Sequence, residues 1–137
     1  MNIQDYNSKV WPFYLRLENE FINSLNYIEF AEDNYLAYSI EFEKQLLSIC
    51  SEIDVLCKLL CKEVDSTQSP KSFPAYARIL CNLKSFSETK VMFLRSKREY
   101  EPFDKLNPDK APTWWQAYNK IKHEKKHRGR FCVLTQK

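Results

Sequence analysis

The chain has 137 residues, 44% of them hydrophobic and 28% charged, a balance that fits one soluble globular domain and gives no compositional ground for extended disorder. A single glycine excludes every glycine-rich phosphate loop and leaves almost no residue for positive-φ turns, so helix is the expected class. The formal charge of +3 conceals a division: residues 1–65 hold 12 acids and 5 bases, net −7, while residues 66–137 hold 6 acids and 16 bases, net +10.

The start MNIQDYNSK lacks the apolar core of a signal peptide, and no apolar run approaches the roughly 18 residues of a membrane span. A cytoplasmic protein without a membrane partner is expected. From Pro12 to about Phe30 the residues Phe13, Leu17, Phe21, Ile22, Leu25 and Ile28 recur at threes and fours, which predicts an amphipathic helix with proline in its first turn. After AEDN, the pattern from about Tyr38 to Val64 places Ile40, Leu46, Leu47, Cys50, Ile53, Leu56, Cys57, Leu60 and Val64 on one broad stripe, the longest predicted helix. Asp54 and Lys58 are spaced for an i, i+4 ion pair, at the surface or half-buried, rather than for catalysis.

STQSPKSFP is a turn-rich break, and Ser72 with Pro74 marks the start of a third helix reaching about Leu83. TKVMFLRSKREYEPF, between Glu88 and Asp104, mixes Val, Phe and Tyr with bases and reads as a two-stranded excursion or an ordered loop. NPDKAP is a connector, and Thr113 caps a final helix over about Trp114 to Lys125. The fold class is therefore all-α. We expect an up-and-down-like bundle of four main helices with a short irregular or two-stranded excursion before the last, in one domain over residues 1–137.

Cysteines stand at positions 50, 57, 61, 81 and 132, an odd number that argues for reduced thiols over a disulfide framework. Cys50, Cys57 and Cys61 share one helical face and read as small buried hydrophobes. The paired short spacings of a cysteine zinc site are missing.

The chemically dense stretch is PTWWQAYNKIKHEKKHRGR, residues 112–130. On a helix, Trp114, Ala117, Tyr118 and Ile121 make an apolar stripe, while Asn119 and His123 stand one turn apart on a neighbouring face flanked by Trp115 and Lys122. Imidazole changes charge between about pH 5 and 8, an amide orients it or a phosphate, and an ammonium offsets charge on a phosphoryl oxygen. Those are the parts of a phosphodiester-cleaving site. Trp115 is placed to stack a nucleobase, with Lys120, Lys125, Lys126, Arg128 and Arg130 as phosphate contacts. The structural alternative puts the Trp–Tyr group in the core and the basic helix end in water.

The segment YNKIKH, within the wider pattern of a long helix carrying CSEIDVLCK, then EPF, then PTWWQAYNKIKH, resembles the motif region of the HEPN superfamily (higher eukaryote and prokaryote nucleotide-binding). The resemblance spans roughly residues 12–123, and WWQAYNKIKH is its specific part. It implies a small helical bundle and a metal-independent endoribonuclease of a toxin or phage-defence system. Its substrate would be RNA, its assembly a homodimer, and its further partner a cognate antitoxin or other protein. It also implies that His123 assists attack of the RNA 2′-hydroxyl on the adjacent phosphate, with Asn119 as the motif's polar residue and no metal or other cofactor. Tyr118 occupies the place of the motif's Arg. Lys122 offers a cation one turn away but lacks the bidentate fork of a guanidinium. A further apolar helix that usually follows the motif is replaced by RGRFCVLTQK.

Two other readings compete. A non-catalytic module would use the basic end to bind RNA or protein. HEKKH, from His123, Glu124 and His127, also matches the zinc-hydrolase pattern HExxH. Cys132 is the one downstream residue placed to be a third ligand, and Lys125, Lys126 and Arg128 would repel the metal, so this reading ranks last.

Overall fold

The computed structural model describes residues 3–37, 39–103, 106–109 and 111–123. It is mostly helical with one small antiparallel sheet. None of the helices among the described residues is long and apolar enough to cross a membrane.

A short α1 (Ile3–Asp5) runs into a π-helical turn (Tyr6–Val10) and then α2 (Trp11–Ser24). Pro12 accounts for the widened turn. It has no N–H to give the ladder, and its ring would strike the carbonyl one turn back, so the coil opens and the Trp11 N–H donates to the Tyr6 carbonyl instead. The helix ends six residues before the predicted boundary near Phe30. Ser24 Oγ donates to the Phe21 carbonyl at 2.6 Å, and the N–H groups of Leu25, Asn26 and Tyr27 tighten onto acceptors three residues back. Asn and Ser compete with the ladder through such local bonds, a signal that apolar periodicity does not carry. Glu32–Asn34 then form one 3-10 turn at the predicted AEDN break.

α3 (Ile40–Val64) is the longest element, as expected. Its predicted start, Tyr38, lies outside the described residues. Ser39 caps it, its Oγ accepting the Glu41 N–H at 3.2 Å. At the other end Asp65 Oδ1 accepts from the Thr67 N–H at 3.0 Å and the Thr67 hydroxyl at 2.6 Å. Those bonds stabilise the charged form and hold the Asp65 carboxyl below its ordinary range.

α4 (Phe73–Leu80) begins after Ser72 with Pro74 in its first turn, as predicted, and stops three residues short of Leu83. A short α5 (Lys84–Ser87) follows, and of the two forms expected for the excursion the two-stranded one is found, a hairpin of β1 (Val91–Phe93) and β2 (Arg98–Tyr100). Val91 pairs with Tyr100, Met92 with Glu99 and Phe93 with Arg98. Lys90 and Glu101 close its open end at 3.0 Å. In a chain this poor in glycine, the turn takes its left-handed position at Lys97, φ 53°, at a cost of about 1 kcal/mol. α6 (Thr113–His123) is the last described element.

Contacts divide the chain into two compact units, one formed by the chain up to Ile53 together with the described residues from Trp114 on, the other by Asp54–Thr113. In the second unit Phe73, Tyr76, Ala77 and Leu80, at i, i+3, i+4 and i+7 of α4, are all buried, as are Cys57 and Cys61 of α3. The Tyr76 hydroxyl, wholly buried, donates to Asp54 Oδ1 at 2.7 Å, and Lys58 pairs with Asp54 Oδ2 in the predicted i, i+4 arrangement. Burial first, and then this bond to a carboxylate, drives the Tyr76 phenol above its ordinary value.

In the first unit Val10, Gln45, Cys50, Trp115, Tyr118 and Ile121 are buried, and the Gln45 amide donates to the Glu20 carbonyl at 3.3 Å, tying α3 to α2. The three cysteines predicted to be buried on α3 are buried. Desolvation pushes the Cys50 and Cys57 thiols up to about 12 and also raises Cys61. The predicted stripes are less complete than their spacing suggests. Ile40, Leu60 and Val64 of α3 are exposed, and so are Phe13 and Ile22 of α2, a helix with no buried side chain. Trp11 and Tyr14 stack in the open at 5.2 Å.

Candidate functional site

The dense stretch predicted from sequence begins as a helix. α6 holds Thr113–His123, contains no acidic residue and carries Lys120, Lys122 and His123 in its last turn. Cations there face the negative end of the helix dipole, which favours them. The helix period separates two faces. Trp115, Tyr118 and Ile121 point inward and are buried; Gln116, Lys120, Lys122 and His123 are exposed, and Asn119 is half-buried between them.

Asn119 and His123 thus share one face a turn apart, as their spacing predicts. Gln116 adds a second amide, this one exposed, one turn before Asn119 on the same face. The sequence reading passed over it, although its i, i+3, i+7 relation to Asn119 and His123 was the available signal. Amides and an imidazole together donate and accept hydrogen bonds, and Lys120 beside them supplies charge.

Trp115 and Tyr118 do not join that face. Their rings lie 5.0 Å apart, tilted by 54°, and Trp114 meets Trp115 edge-on at 5.8 Å. Trp115 is 6% exposed, so its ring belongs to the interior and offers little face for a nucleobase to stack on. This corrects its assignment as an RNA-stacking residue: the apolar packing of its neighbours outweighs the pull of adjacent bases. Tyr118, at the place of the motif's Arg, is 5% exposed and has the Lys122 Nζ 5.3 Å from its ring centroid. That distance is within cation–π range. Lys122 therefore leans on the Tyr118 ring while its own side chain stays in water.

Lys125, Lys126, Arg128 and Arg130 of the predicted RNA contacts lie outside the described residues, as do Glu124, His127 and Cys132 of the zinc reading. Among the described residues no group of three metal-binding side chains comes together.

Comparison of the chain with family models, with curated proteins and with solved structures returned no match.

Proposed function

We propose that the protein is an RNA-associated helical bundle of the HEPN type, acting as a metal-independent endoribonuclease of a toxin or phage-defence system. The observation that supports this most is the joint placement of Asn119 and His123, one turn apart on the outer face of an acid-free helix, with the imidazole open to solvent. In this reading His123 takes the proton of the RNA 2′-hydroxyl as it attacks the neighbouring phosphate, and Asn119 holds the phosphate or the imidazole in line. Lys122 offsets charge on the phosphoryl oxygens in place of an Arg. Tyr118 acts from beneath, as the ring that positions the Lys122 ammonium. Two copies of the chain would bring two such faces to one RNA strand, with a cognate antitoxin as a further partner.

The test is cleavage of single-stranded RNA by the purified protein in the presence of a chelator. Cleavage is expected and His123→Ala, which removes the proton-transferring group, should lower it by at least about 10²-fold, while Asn119→Ala, which removes an orienting amide, should lower it less. Undiminished cleavage by His123→Ala refutes the assignment.

A second reading, a binding module without turnover, draws on the burial of Tyr118. With a phenol ring under the surface where the motif has a guanidinium, the face keeps its affinity for phosphate and loses the bidentate fork that steadies the transition state. Salt-sensitive RNA binding without cleavage distinguishes it.

A further inference from the structure

The hairpin of β1 and β2 separates its charges along its length. At the open end Lys90 pairs with Glu101 at 3.0 Å and Glu99 stands opposite Met92, so base and acid mix there. At the closed end Arg95, Lys97 and Arg98 follow one another closely, and no acid occurs between Glu88 and Glu99. Arg95 and Lys97 are exposed and, among the described residues, neither joins an ion pair. Leu94 stands 81% exposed beside them at the apex. The left-handed backbone of Lys97 closes the turn, so like charges gather on a narrow tip that repels itself and favours an anionic partner.

The side chains discriminate between anionic partners. A lipid surface is held by clusters of about four to eight bases, more than the tip carries. Single-stranded RNA is held by stacking on exposed rings, but the two rings of the hairpin, Phe93 and Tyr100, lie half-buried on one face of the ribbon. Duplex DNA meets both conditions. Its major groove, about 12 Å wide, admits a two-stranded ribbon whose strands lie about 4.8 Å apart, whereas the deep and narrow groove of duplex RNA does not. Thymine also presents a 5-methyl group there, an apolar partner for Leu94 that uracil lacks. We propose that the β1–β2 tip is a duplex-DNA site, with Arg95 and Lys97 on the phosphates and Leu94 against a thymine methyl. This site is separate from the α6 face and does not depend on whether that face acts on RNA.

The test uses the full chain and the fluorescence anisotropy of a labelled A·T-rich DNA duplex, at salt from about 50 to about 200 mM. Binding is expected, and Arg95→Gln with Lys97→Asn should flatten the slope of log affinity against log salt by about two, at roughly 0.9 per phosphate contact. Asn keeps the left-handed backbone at position 97. Lys71→Gln with Arg78→Gln removes the same charge from exposed positions of the same unit outside the hairpin and should leave the slope unchanged. Leu94→Ser should weaken binding about four-fold, equivalent to one methyl contact, and should have no effect on the same duplex with deoxyuridine in place of thymidine. Every substituted side chain is exposed, and unchanged far-UV circular dichroism confirms the fold. The proposal is overturned by no binding of the duplex, or by a slope that the hairpin pair leaves unchanged or that the control pair flattens equally. It is also overturned by a Leu94→Ser effect that is absent or indifferent to the thymine methyl. Loss of single-stranded RNA or anionic-vesicle binding in the hairpin pair at unchanged DNA binding overturns it as well, and assigns the tip to that partner.

Discussion

Replacing Tyr76 with Phe removes one oxygen from the interior of the Asp54–Thr113 unit and tests how that interior is held. The hydroxyl is fully buried and donates to Asp54 Oδ1 at 2.7 Å, a bond to a charged acceptor, which typically contributes about 1.5–3 kcal/mol. The Asp54 side chain is 25% exposed and keeps Lys58 as a partner, so the carboxylate recovers part of its hydration once the phenol is gone. The expected loss is accordingly about 1–2 kcal/mol, or about 4–8 °C in melting temperature at roughly 4 °C per kcal/mol for a chain of this size. Urea unfolding should be followed by far-UV circular dichroism, because all three tryptophans, Trp11, Trp114 and Trp115, belong to the other unit.

In an Asp54→Asn background the same substitution removes a neutral bond and should cost about half as much. The alkaline limb gives a second signature. The folded phenol ionises above its ordinary value near 10, so its contribution is fully present below that pH. Above it the unfolded chain ionises while the folded chain resists, and the contribution is lost as pH rises. The gap between the natural protein and Tyr76→Phe should therefore narrow between pH 8 and pH 10.5. A Tyr76→Phe protein as stable as the parent, or equally costly substitution in both backgrounds, refutes the account of this bond.

Three further outcomes are expected. Lys97→Gly removes the left-handed strain of the hairpin turn and should stabilise the protein by about 0.5–1 kcal/mol, seen as a higher urea midpoint at unchanged slope. Cys50 and Cys57, with thiols pushed up to about 12 by burial, stabilise the fold fully below the unfolded thiol value near 8.5. That stability drains away as pH rises toward 12, at about 1.4 kcal/mol per pH unit for each. Urea midpoints of Cys50→Ala and Cys57→Ala measured from pH 8 to pH 10 should fall less steeply than those of the natural chain. Lys120→Ala and Lys122→Ala should each weaken RNA binding similarly across sequences and lower the slope of log affinity against log salt by about one, measured by fluorescence anisotropy.

Much of the helical layout was legible because spacing alone encodes it. The burial of Cys50, Cys57 and Cys61, the start at Ser72 and Pro74, and the Asp54–Lys58 pair all follow from the 3.6-residue period or from capping chemistry. Other features depend on groups that meet only after folding. The bond from Tyr76 to Asp54 links positions 22 residues apart, and no periodicity announces it. The early end of α2 was written locally, in Asn23, Ser24 and Asn26, but apolar spacing through Ile28 masked it. At the candidate site, the i, i+4 relation of Asn119 to His123 was readable, as was the burial of Tyr118 and Ile121, whereas Trp114 and Ala117 of the predicted stripe are only half-buried. The fate of Trp115 was not readable, since a tryptophan beside bases carries the same letters whether it faces the core or solvent. Gln116 carries neither charge nor ring, so only its spacing to Asn119 and His123 marks its place on that face.

The open stacking of Trp11 on Tyr14 sets that indole apart from the buried Trp115. A dissolved quencher such as acrylamide should reach Trp11 more readily than the half-buried Trp114 and be denied Trp115, so the native protein should yield a downward-curving Stern–Volmer plot. Anything that settles on the outer side of α2 would straighten that plot by silencing the accessible component. The chain thus carries its own optical reporter for occupancy of a helix whose aromatic rings stand in solvent.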